Sequence, residues 1–392
     1  MNSRDGLSIM LLAAAGSVHT ARWAAALNTD GHKVVVASWG PGPQLPGADV
    51  RIAPAVSTRP LWRLPLASAW LRRLVSDVQP DVVHVHSLGT YALLSLALPA
   101  GPARVLSPYG SEMRAARRSA MRATVIRLAL HRADVVLPCS AEIAAELTER
   151  YAVPPAKAPV LSWGVSEDLI AAQPSISARA VRSAFGIPQD ATVVLSIRST
   201  SATYRILEVV DAFAQVAADR PDLFLILLGG LRPENEASRI SQRAYFDAAR
   251  AAARAGSDRV LILDRALNRE QTFELMCASD VAVSIPPADQ HSYSVLEAAL
   301  AGCRLLLGDI PPYQEMVSDG MVADLLPEPI VDALAQRLRC ASVEPQDRHI
   351  NRDFILTREH GSDKLAEHVQ IYRQLSRTLK RPARTNYGTA AG

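Results

Sequence analysis

The stretch SIMLLAAAGSVHTARWAAALNTDGHKVVVAS, residues 8–38, decides the fold. It begins with a continuous apolar run over residues 8–15, which Gly16 and Ser17 interrupt. An alanine-rich segment then runs to Gly31, and the β-branched run KVVVAS ends the stretch. A strand, a glycine turn, a helix and a second strand make a βαβ unit. The stretch therefore predicts an α/β fold with a parallel sheet.

The same alternation continues along the chain. Apolar runs without a polar alternation indicate strands that are covered on both faces, as in parallel sheets. The first series continues with PDVVHVHS (80–87), ARVLSPYGS (103–111), ADVVLPCS (133–140) and APVLSWGVS (158–166). A second series consists of TVVLSIRS (192–199), LFLILLGG (223–230), RVLILD (259–264), DVAVSIPP (280–287) and CRLLLGD (303–309).

These two series predict two doubly wound domains that face each other across a cleft. A polar stretch near residues 163–190 separates them and is interpreted as a linker. We expect a first domain over 1–165 and a second over 166–360. A helix over 361–380 is expected to return to the first domain, and residues 381–392 are expected to form a disordered tail. The 392 residues, 49% of them hydrophobic, are sufficient for two cores.

Charge and cysteine usage exclude several classes of protein. The net charge of +3 does not indicate a dedicated nucleic-acid binder. Residues 1–170 contain 17 Lys and Arg against 12 Asp and Glu, so the first half is the basic one. The four cysteines are widely separated, which favours neither a disulfide framework nor a structural zinc site and fits a reducing cytoplasm. No segment has the ~18 consecutive apolar residues of a membrane helix.

Polar and small residues at the ends of the predicted strands are candidates for a ligand site, because open α/β sheets bind ligands beyond their carboxyl ends. The candidates are Gly16, Ser17, His86, Ser107, Arg198, Gly229 and the segment 289–297. His84 and His86 share one face of their strand. We expect His84 to be buried with its hydrogen bonds satisfied, and His86 to reach the cleft.

The segment ADQHSYSVLEAALAG, residues 288–302, is a polar entrance to an alanine-rich helix. Ser294 and Glu297 have the spacing of a capping box, which is the structural interpretation of this pair. The start of a helix also binds anions, because its backbone N–H groups are free and carry partial positive charge. Asp289 would repel a phosphate, so we expect it either to accept hydrogen bonds from hydroxyl groups or to make an Asx turn. A diphosphate beside a hydroxyl-binding acid describes a nucleotide sugar.

The longer segment DQHSYSVLEAALAGCRLLLGDIPPYQEMV (289–317) resembles the donor-binding signature of the family 4 retaining glycosyltransferases, which have the GT-B fold. The family pattern is Glu-x7-Glu, and here Asp289 stands in place of the first Glu while Glu297 is the second. PYQE ends at Glu315, which matches the acid that follows a Pro-x-x turn in the family. Segments such as GSVHTARWAAALNTDGHKVVV (16–36) and PDVVHVHS extend the resemblance over nearly the full chain.

The resemblance implies residue roles. Glu297 would hold the nucleotide ribose, Asp289 the transferred sugar, and His86 would lie near that sugar. Arg198 matches the phosphate-binding Arg of the family, but Thr203 stands where a Lys is usual. Arg205 is a substitute for that Lys, or else a solvated charge on a helix.

Further hydrogen-bond donors to the phosphate are expected from the backbone N–H groups around residues 294–296 and from the loop at residues 16 and 17. The resemblance implies hexosyl transfer on one face of the donor, assisted by the leaving phosphate, without a carboxylate nucleophile. The remaining residues that we expect to bind the donor are Gly16, Ser17, Gly229, Ser292, Ser294, Val295 and Leu296.

No metal or other cofactor is expected, because the sequence has no Asp-x-Asp motif to bridge a diphosphate. The partners are a nucleoside-diphosphate sugar and a glycan, lipid-linked or small-molecule acceptor. Residues 113–132 form a predicted helix with six arginines and no acid, which either is a solvated basic face or contacts an anionic membrane on its inner side. Two alternatives stay open: a GT-B epimerase or phosphorylase, and a non-catalytic partner subunit, which the Thr203 and Asp289 substitutions favour.

Overall fold

The computed structural model describes residues 6–54, 60–230, 236–342 and 345–380. The chain divides into two compact units. The first unit comprises Met1–Ser162 together with Ser362–Gly392, and the second comprises Trp163–Gly361. The tail predicted over 381–392 lies outside the described residues.

The first unit contains a six-stranded parallel sheet in the order β3-β2-β1-β4-β5-β6. This is the strand order common to dinucleotide-binding folds, with its reversal between β1 and β4. The strands are β1 (Ser8–Leu12), β2 (Lys33–Ser38), β3 (Ala48–Ile52), β4 (Val82–His86), β5 (Ala103–Ser107) and β6 (Val135–Val136). The helices between them are α1 (Val18–Thr29), α2 (Pro60–Val78), α3 (Thr90–Ser95), α4 (Ser111–Ala116), α5 (Ala120–Arg132) and α6 (Ala141–Tyr151).

The second unit repeats this topology. Its parallel sheet has the order β12-β11-β10-β7-β8-β9, so the reversal lies between β7 and β10. The strands are β7 (Thr192–Ser199), β8 (Leu223–Leu228), β9 (Val260–Leu263), β10 (Val281–Ser284), β11 (Arg304–Gly308) and β12 (Asp324–Leu326). The helices are α7 (Glu167–Ala172), α8 (Ala178–Phe185), α9 (Ile206–Val216), α10 (Glu236–Gly256), α11 (Arg269–Cys277), α12 (Tyr293–Ala301), α13 (Pro311–Ser318), α14 (Ile330–Arg339) and α15 (Pro345–Arg358).

The predicted linker over 163–190 is wrong, because this stretch is a folded part of the second unit. Leu169 of α7 and Ile187 are buried in the core of that unit. Arg182 of α8 donates to the carbonyl of Ala278 at 2.9 Å and pairs with Asp280 at 2.8 Å. The polar residues that suggested a linker lie on the outer faces of two short helices, α7 and α8.

The strand expected in APVLSWGVS is also absent, since residues 158–166 contain only an isolated bridge between Val165 and His360. Gly164 and Gly361 lie beside this bridge. A side chain on Gly361 would collide with the carbonyl oxygen of Val165, and one on Gly164 would lie 2.8 Å from the carbonyl oxygen of Glu359. The two backbone segments therefore pack too closely for any residue but glycine.

The last described helix, α16 (Gly361–Lys380), carries core residues of the first unit. Tyr372 and His368 are both fully buried. The ring of Trp23 in α1 makes an edge contact with the ring of His368, with 4.6 Å between centroids. Packing of one apolar face stabilises a helix of this length far more than its own propensity does.

The basic segment 113–132 is divided between α4 and α5, so the single predicted helix is wrong. Ser119 begins α5 as its N-cap, with its side chain accepting from the amide of Arg122. Arg117 pairs with Glu146 at 2.8 Å, and the guanidinium of Arg127 lies 5.8 Å from the centre of the Tyr151 ring. Among the described residues, no helix has the length and apolar character needed to span a membrane.

Candidate functional site

The reversal of strand order in the second unit brings the ends of β7 and β10 side by side. Arg198 is the last residue but one of β7, and Ser284 is the last residue of β10. Asp289 lies in the loop that follows β10, and Tyr313 lies in the first turn of α13. Because ligands of doubly wound sheets bind at this reversal, the four side chains occupy the expected position for a site.

These four side chains form a closed hydrogen-bond network. Arg198 Nε donates to Ser284 Oγ at 3.1 Å, and Ser284 Oγ lies 2.9 Å from the hydroxyl of Tyr313. Tyr313 donates to Asp289 Oδ2 at 2.8 Å, and Arg198 Nη2 contacts the same carboxylate oxygen. A guanidinium only donates and a carboxylate only accepts, so Ser284 must donate to Tyr313. The donor and the acceptor of each hydrogen bond in the network are then fixed.

The network is largely shielded from water. The side chains of Arg198 and Asp289 are 12% and 19% exposed, and Tyr313 is fully buried. The guanidinium of Arg198 also lies over the ring of Tyr204, 4.8 Å from its centre. Both donors to Asp289 use Oδ2, so Oδ1 has no hydrogen-bond partner among the described residues. This oxygen is available to accept a hydrogen bond from a ligand.

The capping box predicted for Ser294 and Glu297 is wrong. Helix α12 begins two residues earlier than expected, with Ser292 as its N-cap and without a side-chain cap. The amides of Val295 and Leu296 both donate to the carbonyl of Ser292, at 3.0 and 3.2 Å, so they are not free for a phosphate. The hydroxyl of Ser292 is buried and has no hydrogen-bond partner among the described residues. An unsatisfied buried hydroxyl at a helix start is a candidate anion ligand.

Glu297 instead pairs with a residue that the sequence did not indicate. Arg269, the first residue of α11, donates from Nη2 to Glu297 Oε1 at 3.0 Å and from Nη1 to Asp168 Oδ2 at 3.1 Å. The capping box of this region belongs to α11, where Asn268 and Gln271 each accept from the other's backbone amide. The Asn-x-x-Gln spacing was a signal for it in the sequence.

Arg205 lies at the start of α9 and pairs with Glu328 at 2.6 Å. This hydrogen bond holds the pKa of Glu328 below its usual value. The backbone of Arg205 has a positive φ of 53°. Arg205 therefore already has an anionic partner, and Thr203 carries no charge with which to replace the usual lysine.

Gly229 follows β8 and packs against the end of β9. A Cβ atom at this position would overlap the carbonyl oxygen of Leu263 and lie 3.1 Å from the backbone of Asp264. The amide of Gly229 donates to that same carbonyl of Leu263 at 2.7 Å. The neighbouring backbone thus leaves no room for a Cβ atom at Gly229.

We expect Gly229→Ala to destabilise the protein by about 2 kcal/mol or more, because the added methyl group forces two paired strand ends apart. Denaturant unfolding measures this loss as a lower midpoint at an unchanged slope. Gly16→Ala is the matched control, since a Cβ at Gly16 has no atom within 4 Å. Equal midpoints for the two variants would contradict the prediction.

The predicted residues of the first unit lie at the reversal of its own sheet, between β1 and β4. Gly16 is exposed in the loop after β1, and Ser17 is the N-cap of α1 without a side-chain hydrogen bond. His86 is the last residue of β4 and is only 2% exposed. Its Nδ1 lies 3.2 Å from the hydroxyl of Tyr109.

Burial sets the protonation state of both strand histidines. It lowers the pKa of His86 to about 3, with a further lowering from the nearby His19 and His368. Burial also holds the pKa of His84 well below its usual value. Both imidazoles are therefore neutral at pH 7, and His86 can act there as a hydrogen-bond partner but not as a cation.

His84 belongs to a hydrogen-bond chain that the sequence did not reveal. Trp23 Nε1 donates to the hydroxyl of Tyr372 at 3.4 Å, and that hydroxyl lies 2.6 Å from His84 Nδ1. The phenol oxygen of Tyr372 accepts from the indole, and its bond to Nδ1 runs in the direction that the tautomer of His84 sets. The other ring nitrogen of His84, Nε2, lies 2.8 Å from Ser107 Oγ. The prediction of a buried, satisfied His84 is confirmed.

Among the described residues, no cluster of three or more His, Cys, Asp or Glu side chains has the arrangement to hold a metal ion. The site chemistry of the second unit is instead one arginine, one acid with a free oxygen, and a helix start with a free hydroxyl. Such a set can bind an anion next to a hydroxyl-bearing group.

Part of the chain matches a known family. Residues 16–169 match the model of glycosyltransferase family 4, which confirms the resemblance noted in the sequence. No curated protein matches the chain by sequence.

Solved structures of glycosyltransferases share the fold. The chain is similar to sucrose-phosphate synthase from Thermosynechococcus elongatus, with 17% identity, a TM-score of 0.79 and coverage of 95% of this chain and 100% of that one. It is also similar to HepE from Anabaena, solved in complex with UDP and glucose, with 16% identity, a TM-score of 0.73 and coverage of 94% and 100%. WaaG, a glycosyltransferase involved in lipopolysaccharide biosynthesis, has 18% identity, a TM-score of 0.71 and coverage of 93% and 99%. The GT-B fold predicted from the sequence is confirmed.

Proposed function

We propose that this protein is a retaining glycosyltransferase that moves a hexosyl group from a nucleoside-diphosphate sugar to an acceptor. The observation that carries the proposal is the contact between Arg198 and Asp289 at the strand reversal of the second unit. An arginine beside an acid whose Oδ1 is free supports binding of a phosphate next to a hydroxyl-bearing sugar. The match to glycosyltransferase family 4 supports the reaction class.

In the proposed reaction the residues of the second unit have separate tasks. Arg198 stabilises the negative charge that grows on the leaving phosphate as the bond to the sugar breaks. The hydroxyl of Ser292 donates to the same diphosphate at the start of α12, where the helix dipole favours an anion. Asp289 Oδ1 accepts from a hydroxyl of the transferred sugar and orients it.

Glu297 holds the ribose of the donor in this proposal, and Arg269 orients its carboxylate from one side. His86 is kept as a proposed contact near the sugar on the strength of the resemblance alone, acting as a neutral imidazole. Gly16 and Ser17 are likewise kept as donor-loop residues. Arg205 is the weakest of the predicted donor ligands, because Glu328 already occupies its guanidinium.

HepE was solved with UDP-glucose as well as with UDP, so a uridine donor is the first to test. The acceptor is proposed to be a glycan or a lipid-linked sugar, reached without a metal cofactor in the cytoplasm. Contact with an anionic membrane would use exposed arginines of 113–132, chiefly Arg118 and Arg122.

The experiment that tests the proposal is isothermal titration calorimetry with UDP, GDP, ADP and their common sugar conjugates, first without metal and then with Mg²⁺. We expect one nucleotide to bind with a Kd near 1 μM, about 8 kcal/mol of binding free energy. Binding that requires Mg²⁺ would contradict the expected metal independence. Absence of binding by every nucleotide would overturn the proposal in favour of a non-catalytic partner subunit, and donor turnover without an acceptor product would favour an epimerase.

A further inference from the structure

The charge of Arg198 is already balanced before any ligand arrives. Its Nη2 contacts Asp289 Oδ2, and its Nε is taken by Ser284. Both charged side chains are less than a fifth exposed, so water and salt screen their attraction weakly. Asp289 therefore has a second effect besides its free Oδ1: it offsets the cation that a phosphate would bind.

The carboxylate is held in this position by a residue outside the charge pair. Tyr313 donates to Asp289 Oδ2 at 2.8 Å and is itself fully buried. Ser284, also buried, is within 2.9 Å of the same tyrosine hydroxyl. Rotation of Asp289 away from Arg198 would leave this buried hydroxyl without its acceptor, which is costly. The pair is thus maintained by the core rather than by solvent.

Among the described residues, neither Thr203 nor Arg205 supplies a second cation that would relieve the repulsion between Asp289 and an incoming phosphate. Thr203 is neutral, and the guanidinium of Arg205 lies 2.6 Å from Glu328. A diphosphate on Arg198 consequently shares one guanidinium with a carboxylate of like charge. The bound diphosphate is attracted less strongly than it would be by an unpaired arginine.

We propose that Asp289 competes with the nucleoside diphosphate for Arg198 and thereby speeds its release after transfer. The proposal rests on the proposed function, because it assigns the diphosphate to Arg198. During transfer the same acid orients the sugar through Oδ1. Once the sugar has left, only the repulsive effect of its charge on the remaining diphosphate persists. Asp289 is then a residue that limits product retention as well as one that orients the donor.

The test is the Kd of nucleoside diphosphate and of pyrophosphate for Asp289→Asn, measured by calorimetry at low and high salt. Removing the charge while keeping the shape is expected to tighten binding about tenfold at low salt and by a similar factor at high salt, because the pair is weakly screened. Stopped-flow dissociation should slow by a similar factor. Asp289→Glu keeps the charge and is expected to stay within threefold of the wild type.

The matched control is Asp280→Asn. Asp280 pairs with Arg182 at 2.8 Å in the same unit, but it precedes β10 and so lies at the amino end of the sheet. This variant removes one charge from a comparable ion pair away from the site. We expect its diphosphate affinity to equal that of the wild type, which separates a local effect from one of net charge.

A second variant keeps the proposal testable if Asp289→Asn does not fold. Tyr313→Phe retains both charges but removes the donor that holds Asp289 in place, and we expect diphosphate binding to tighten about threefold. Unchanged or weaker binding in folded Asp289→Asn, or in Tyr313→Phe if Asp289→Asn does not fold, overturns the competition by Asp289. Absence of diphosphate binding by the wild-type protein overturns the proposed function itself, so the two failures are distinguishable.

Discussion

Arg198→Lys is expected to lower the rate of donor cleavage about 100-fold, which is the scale for loss of one preorganised donor to developing charge. The substitution keeps the positive charge beside Asp289, so no buried carboxylate is left unpaired. It removes the planar fork that reaches Ser284, Tyr313 and Asp289 at once. An ammonium group cannot donate in those fixed directions. The expected loss of rate therefore comes from the missing guanidinium geometry and not from a change of charge.

The measurement is release of nucleoside diphosphate from the donor that the calorimetric screen identifies, with water or an acceptor as the receiving group. Arg182→Lys is the control, because Arg182 also has a side chain 12% exposed and paired with an aspartate. Its rate should stay near that of the wild type. A rate for Arg198→Lys within threefold of the wild type would remove Arg198 from the leaving-group site.

Acid is expected to unfold the first unit steeply below pH 6.5, because His84, His86 and His368 are among the histidines buried there in the neutral form. Burial lowers the pKa of His86 to about 3 and that of His368 to about 4, and it holds the pKa of His84 well below its usual value. In the unfolded chain these groups take up protons near pH 6.5, whereas in the folded protein they do not. Stability is thus complete above pH 6.5 and is lost as the pH falls toward 4.

Each buried neutral histidine makes the free energy of unfolding fall by about 1.4 kcal/mol per pH unit in this range, so the three together give about 4 kcal/mol per unit. Urea unfolding at several pH values from 7 to 5 measures the slope. His368→Phe keeps the ring contact with Trp23, at 4.6 Å, and removes one proton-binding group. We expect its slope to fall by about one third. A stability that is flat between pH 7 and 5 would show that the histidines are not buried as described.

The strands that the sequence predicted best are those buried on both faces. KVVVAS and TVVLSIRS correspond to β2 and β7 without any shift of the ends. Strand β3 was missed because only Val50 of its five residues is buried, which is typical of a sheet edge. Strand β12 has three residues and is too short to give a pattern. A strand that is buried on both faces gives a continuous apolar run in the sequence, whereas an edge strand does not.

The candidate site was likewise predicted only in part: residues within a motif were found, but some of their partners from distant segments were missed. Arg198 and Asp289 were predicted from separate motifs, and the structure brings them into contact. Tyr313 was missed as their partner, since it lies 24 residues after Asp289 and only the pairing of β10 with β11 brings it close. Ser284 was missed although the strand-end argument that singled out Arg198 applies to it equally. Helix α12 was placed wrongly because Ser292 and Ser294 are both acceptable N-cap residues.

Helix α16 imposes an order of assembly on the chain. Trp23 and Tyr372, which meet through a hydrogen bond, are separated by 349 positions, and all of the second unit lies between them. As the chain is synthesised, the second unit has its complete sequence before the first unit has all of its own. The first unit must then wait with His84 and Trp23 uncovered until α16 emerges, so the interval in which its core is open to aggregation is set by the length of the second unit.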